Sequence, residues 1–199
     1  VINMTPDSFS GDGLTDRPET ALQKALKFEA LGADFIDVGA ESTHPGYTSI
    51  SSAVELARLL PALDLIAPRV GIPLSVDTRK SEVAEQALEA GASIINDIWG
   101  LKQDPAIANV ASQHHAPLIL MHNQSTTEYR DLIPDVVQSL SESINLALCM
   151  GVPNENIIVD PGVGFGKNPD HNLDIIRRLA DFNVLGHPIL IGTSRKSTI

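Results

Sequence analysis

Cysteine is nearly absent from this sequence. Cys149 stands alone among 199 residues, so no intrachain disulfide can form. A reducing, cytoplasmic location fits that count, and the thiol is expected to pack within a helix. Cations are scarce as well: 14 Lys and Arg face 25 Asp and Glu, a net charge of −11. That balance excludes a general nucleic-acid binder, which needs a basic footprint. An anionic ligand would have to be met by a few locally concentrated cations. No apolar run approaches the roughly 18 residues of a membrane span. No signal peptide is visible; the opening Val1-Ile2-Asn3, with neither initiator Met nor charged leader, is expected of a segment cut from a longer polypeptide.

What is present is a rhythm. Seven apolar, β-branched runs are predicted as strands: Val1–Asn3, Phe35–Val38, Leu74–Val76, Ile94–Asp97, Leu118–Met121, Ile157–Asp160 and Ile189–Ile191. They are continuous rather than alternating, as parallel strands covered on both faces are. Helices are expected between them. Pro18 opens one that runs to Leu31 and stops at Gly32, with Ala21, Ala25 and Phe28 on one face. Ser52 and Glu55 have capping-box spacing. Val83, Ala84, Ala87 and Leu88 form a stripe ended by Gly91, and Pro134 opens a helix ending near Gly151.

The sequence also echoes itself. Leu31-Gly32-Ala33-Asp34-Phe35-Ile36-Asp37 resembles Ala90-Gly91-Ala92-Ser93-Ile94-Ile95-Asn96, 59 residues on. That offset is about two βα units. The expected fold class is α/β, a (β/α)8 TIM barrel truncated after the seventh strand, forming one domain over residues 1–199. A doubly wound open sheet is the structural alternative.

Barrel enzymes place their chemistry at the C-terminal ends of strands. Here nearly every such end is polar: Asn3 to Phe9, Asp37 with Glu41 to Gly46, Asp77-Thr78, Asn96-Asp97, Met121-His122, Asp160 to Lys167, and Gly192 to Ser197. A single acidic strand end is usually a cap or a loop hydrogen-bonder. So many on one face describe a ligand pocket. Asp accepts hydrogen bonds, Asn does both, Lys donates. Asp77, Asn96, Asp160 and Lys196 therefore suit a flat heterocycle edged with amino, ring N–H and carbonyl groups, as a pterin is.

The run Gly162-Val163-Gly164-Phe165-Gly166-Lys167-Asn168 has neither P-loop nor GxGxxG spacing. It is expected to be a flexible loop bringing Phe165 and backbone near a ligand. Arg195 and Lys196 fall at the expected start of a helix, where the dipole disfavours cations unless an anion or ring is held there with Ser194 and Ser197. His114 and His115 are expected on a helix end at the surface, His171 and His187 in loops, and His122 at the pocket mouth in a structural or supporting role. No His/Cys spacing suggests zinc.

Taken in order, these motifs resemble those of the dihydropteroate synthase family. The matching segments are Asn3-Met4-Thr5-Pro6-Asp7-Ser8-Phe9-Ser10, Gly32-Ala33-Asp34 through Glu41-Ser42-Thr43 with Pro45-Gly46, Ser75-Val76-Asp77-Thr78, Asn96-Asp97-Ile98, Met121-His122, Asp160-Pro161-Gly162 with Gly164-Phe165-Gly166-Lys167, and Ser194-Arg195-Lys196-Ser197. The resemblance spans the whole chain. It implies a transferase of folate biosynthesis, and a sulfonamide target. The enzyme condenses 6-hydroxymethyl-7,8-dihydropterin pyrophosphate with p-aminobenzoate to give dihydropteroate and pyrophosphate.

By that resemblance, Asp77, Asp160 and Lys196 are the catalytic residues. The pterin is held by Asp77, Asn96, Asp160, Phe165, Lys196, Arg195 and Met121. Thr43, His44, Pro45, Ser194, Thr5, Asp7 and Ser8 border p-aminobenzoate and pyrophosphate. Asn3 is a Mg²⁺ ligand, and a homodimer is implied. Two departures stand out. The family usually has Arg where this chain has His44, and a neutral His grips pyrophosphate less well. The Arg and His that the family's last strand gives to the pyrophosphate are not in this sequence, so the 199 residues alone are expected to be inactive. A methyltetrahydrofolate-corrinoid methyltransferase and a non-catalytic pterin-binding domain are the alternatives.

Overall fold

The computed structural model describes residues 1–5, 17–42 and 48–194. The expected site residues Asp7, Ser8, Thr43, His44, Pro45, Arg195 and Lys196 lie outside the described residues. Two units are distinguished, Val1–Asn96 and Asp97–Ile199.

The first unit alternates strand and helix: β1 (Ile2–Asn3), α1 (Pro18–Ala30), β2 (Ile36–Gly39), α2 (Ser52–Ile66), β3 (Leu74–Asp77), α3 (Ser81–Glu89) and β4 (Ile94–Asp97), whose last residue begins the second unit. Neighbouring strands pair in chain order and all are parallel. Parallel pairing requires a crossover, and each helix provides one. Ala21 and Ala25 of α1, Leu59, Leu63 and Ile66 of α2, and Val83, Ala84 and Ala87 of α3 are fully buried. Each large aliphatic side chain buried this way contributes about 1.5–3 kcal/mol.

Helix ends follow local chemistry. Pro18 occupies the first turn of α1, where a missing N–H costs nothing. Gly32 leaves the helix at φ +88 and donates to the Glu29 carbonyl. The cap of α2 differs from expectation. Ser51, extended at φ −70 and ψ 156, is the N-cap, and its side chain accepts from the Val54 amide. Glu55 is thereby freed from capping. It is fully buried, accepts a 2.8 Å hydrogen bond from Thr78 Oγ1 and is paired with Lys80.

The second unit carries α4 (Ala106–Gln113), β5 (Leu118–Met121), α5 (Leu132–Cys149), β6 (Ile157–Asp160) and α6 (Pro169–Arg177), with 3₁₀ turns at Asn154–Asn156 and Leu179–Leu185. β5 and β6 pair in parallel, from Leu118↔Ile157 to Met121↔Asp160. The expected seventh strand is reduced to one parallel bridge, Val159↔Ile189. Pro188 has no N–H to extend the ladder; its carbonyl accepts from Val159, and Leu190 donates to Val159.

Three smaller expectations are corrected here. Cys149 ends α5 and is exposed. His171 lies in the first turn of α6, where its backbone N–H reaches the Asn168 side-chain cap, rather than in a loop. α5 starts at Leu132, two residues before Pro134, and Asp135 ties down the Arg130 and Asp131 amides ahead of it. His114 and His115 are exposed at the end of α4, as expected. Among the described residues no helix is long and apolar enough to cross a membrane.

Candidate active site

In the first unit the strand register does the assembling. Asn3 pairs with Gly39, Gly39 with Asp77, and Asp77 with Asn96. These residues form one row across β1, β2, β3 and β4. Side chains at matched positions of parallel strands leave the sheet on the same side. Three residues predicted for the site thus stand side by side, with a glycine between two of them. That glycine is a residue the sequence reading missed. A Cβ on Gly39 would lie 3.2 Å from Asp77 Cβ and 3.4 Å from its Oδ2. Gly39 keeps the space that the Asp77 carboxylate uses. Thr5, two residues beyond the row on the first segment, is buried.

Asp37 was read as a strand end but not as a site residue. It lies two positions before Gly39, so it projects to the same face. Asn96 Nδ2 donates to Asp37 Oδ1 at 3.3 Å. Burial pushes the Asp37 carboxyl up from its ordinary value, while Ser75 and Asn96 pull it back. That bond uses one of the two Nδ2 hydrogens of Asn96.

Behind the row lies an ion-pair network. Glu41 accepts from Arg79 Nε at 2.9 Å, Lys80 Nζ at 3.0 Å and the Ile50 amide at 2.9 Å. Burial would raise the Glu41 carboxyl, but Arg79, the Ile50 amide and Lys80 outweigh it and hold it at about 2. The unfolded value is 4.5. Between these two values the unfolded chain binds a proton that the folded chain does not, so Glu41 stabilises fully above pH 4.5 and less as pH falls toward 2. Asp97 acts in the opposite sense: burial raises it from 3.8 to about 6, against its bonds to the Leu101 and Trp99 amides. Its stabilisation declines as pH rises through that window. Comparison with Glu41→Gln isolates the first effect. In urea titrations the stability gap between wild type and Glu41→Gln is expected to be widest near neutral pH and to close only as pH falls to about 2; a gap independent of pH would contradict it.

The second unit supplies another matched pair. Met121 and Asp160 are register partners at the ends of β5 and β6, and both are buried. Asp160 Oδ1 accepts from the Gly162 amide at 2.7 Å, and its backbone carbonyl accepts from the His122 amide at 2.8 Å. The chain then turns through Gly162, Gly164 and Gly166, all at positive φ. This loop is tied at several points. Gly164 N donates to Asn172 Oδ1 at 2.7 Å, Phe165 N to the Gly162 carbonyl at 3.1 Å, and Tyr129 OH to the Gly166 carbonyl at 2.8 Å. Lys167 Nζ reaches the carbonyls of Gly162 and Phe165 at 3.0 and 2.9 Å. Phe165 is half-buried within this frame, and Ser194 is exposed.

No cluster of three His, Cys, Asp or Glu side chains able to hold a metal exists among the described residues. Asn3 offers one hard oxygen donor at the head of its row, which suits an ion that keeps several waters and takes its other ligands from substrate phosphates.

A strand-end row of amide and carboxylate groups on a parallel α/β frame is the arrangement of an α/β enzyme, with hydrogen-bonding side chains at the strand ends where such enzymes take their ligands. The family model described as pterin binding enzyme matches residues 1–199, and the chain belongs to that family. Within it, the relatives are dihydropteroate synthases. That of Clostridium beijerinckii is 48% identical over 199 residues, covering 100% of this chain and 74% of the relative. The structure of a Clostridium difficile dihydropteroate synthase, solved in the presence of pteroic acid, matches with TM-score 0.93 and 43% identity, over 99% of this chain and 75% of that one. A Yersinia pestis dihydropteroate synthase in complex with a sulfonamide drug matches with TM-score 0.94 and 36% identity, over 100% and 74%. The family and the (β/α)8 class expected from the ordered motifs are therefore the ones to which the chain belongs.

Proposed function

We propose that the complete protein condenses 6-hydroxymethyl-7,8-dihydropterin pyrophosphate with p-aminobenzoate, releasing pyrophosphate, through one pterin-binding domain that these residues form. The observation that supports it most is the register row of Asn3, Asp77 and Asn96, found in a chain 48% identical to a dihydropteroate synthase. Asp77 and Asp160 accept from the amino and ring N–H groups of the pterin, Asn96 adds its amide, and Lys196 donates to the ring carbonyl. As pyrophosphate leaves, positive charge grows on the pterin methylene, and the carboxylates that bind the ring stabilise it. Met121, Phe165 and Arg195 pack against the ring. Thr5, Asp7, Ser8, Thr43, His44, Pro45 and Ser194 border p-aminobenzoate and pyrophosphate. They keep out the water that would compete with a weak aniline nucleophile. Mg²⁺, held in part by Asn3, would neutralise charge on the leaving group. A homodimer and a cytoplasmic location complete this reading.

The deciding experiment is pyrophosphate release by the complete protein with and without p-aminobenzoate. Release that depends on p-aminobenzoate is expected; release indifferent to it would defeat the assignment.

A further inference from the structure

Lys167 is the last residue of the glycine loop after β6. Its position after a glycine run invites comparison with a phosphate-binding lysine, yet its ammonium is turned inward. The residue is 9% exposed. Nζ lies 2.9 Å from His122 Nδ1, 3.0 Å from the Gly162 carbonyl oxygen and 2.9 Å from the Phe165 carbonyl oxygen. An ammonium has three donors and no acceptor, so it donates in each of these contacts. Because the ammonium can only donate, His122 Nδ1 must accept, which leaves the imidazole proton on Nε2.

The two carbonyls belong to the peptides that matter to the pocket. The Gly162 unit also donates its N–H to Asp160 Oδ1. Phe165 carries the ring expected against the pterin. We propose that Lys167 is a positioning residue for pterin recognition: its buried ammonium ties the Gly162 and Phe165 carbonyls to the His122 imidazole and so fixes the Asp160 carboxylate and the Phe165 ring. This rests on the dihydropterin reading of the site.

The surroundings of His122 make the role measurable. The ring is 2% exposed, faces the ammonium of Lys167, and lies 5.9 Å from the ring of Tyr129, which is packed in turn edge-on against His171. Burial, then the charges of Lys167 and Lys102, hold the imidazole at about 2. Lys102 itself donates to the Asn123 carbonyl. Taking away the Lys167 charge lets the imidazole titrate closer to its usual range.

The test uses the complete protein, wild type, Lys167→Met and His122→Leu. Dihydropterin pyrophosphate binding is followed by fluorescence, and KM is measured for both substrates. Lys167→Met is expected to weaken pterin binding about 10- to 100-fold, with the p-aminobenzoate KM within about twofold, since the loop supports only the pterin half. Pterin affinity should become more sensitive to acid than in wild type, because one of the charges that hold the imidazole down is gone while burial remains. ¹⁵N spectra of wild type should show His122 Nδ1 unprotonated. His122→Leu, which removes one acceptor, should shift pterin affinity in the same direction by less, and it decides the matter if Lys167→Met does not fold. Unchanged pterin binding in either folded variant, or a protonated Nδ1 in wild type, overturns the proposal. Absence of p-aminobenzoate-dependent turnover in wild type would instead strike the functional assignment, because the binding and ¹⁵N measurements need no turnover.

Discussion

Asp77→Ala in the complete protein is expected to lower kcat/KM for pyrophosphate release about a thousandfold, close to 4 kcal/mol of lost transition-state stabilisation. Asp77 ends β3 at the centre of the row, between Gly39 and Asn96. Its carboxylate is the only ionic acceptor in that row. Under the proposed function, removing it leaves the pterin donors unpaired, and unpaired polar groups in a binding site carry a large cost. The loss should fall on kcat as well as KM, because the proposed reaction has the same carboxylate stabilise the charge that develops when pyrophosphate leaves. Stability should change by about 1 kcal/mol or less, as the side chain is half-buried at a strand end. Steady-state kinetics beside a thermal melt check both halves. A tenfold loss or less, or a collapse in Tm, would remove Asp77 from its assigned role.

Gly162→Ala should produce the largest loss of stability of any single methyl added at a described glycine of this chain. Gly162 has φ +73, and a Cβ there would overlap the His122 carbonyl oxygen. The backbone conformation alone costs an alanine about 1 kcal/mol, and the steric overlap forces β6 and the end of β5 apart for about 1–3 kcal/mol more. Gly186 provides the control. It has nearly the same φ, +72, with nothing within 4 Å of its would-be Cβ. Gly186→Ala should therefore cost only the conformational part. Chemical denaturation of both variants separates the two contributions. Equal destabilisation would show that the close approach to His122 is relaxed at no cost.

Much of the frame was legible because it depends on local rules. The strand runs, the Pro18 start and Gly32 stop of α1, and the stripe of α3 all follow from periodicity and backbone chemistry that a sequence displays. The polar strand ends were readable for the same reason. What escaped depends on distant partners. Glu55 looked like a capping residue, but Thr78 and Lys80, more than twenty residues away, claim it, and Ser51 caps α2 instead. The glycines after β6 suggested freedom. The chain spends that freedom on positive φ angles, and the side chains of Asn172, Tyr129 and Lys167 then pin the loop. Gly39 went unnoticed since only the register shows that Asp77 needs its space. Tyr129 and His171, unremarkable in sequence, are brought to that loop by folding.

The hydrogen bond from Asn96 to Asp37 joins residues 59 apart, the same offset at which the sequence echoes itself. A period of two βα units carries equivalent positions from one strand to the next but one, and in barrels alternate strands fill a common layer. Equivalent positions of such an echo can therefore come within reach of each other. Two acids there would repel, whereas an acid and an amide attract. Asp37 and Asn96 are such a pair, and their unlike side chains make a polar joint where like ones would make a repulsion.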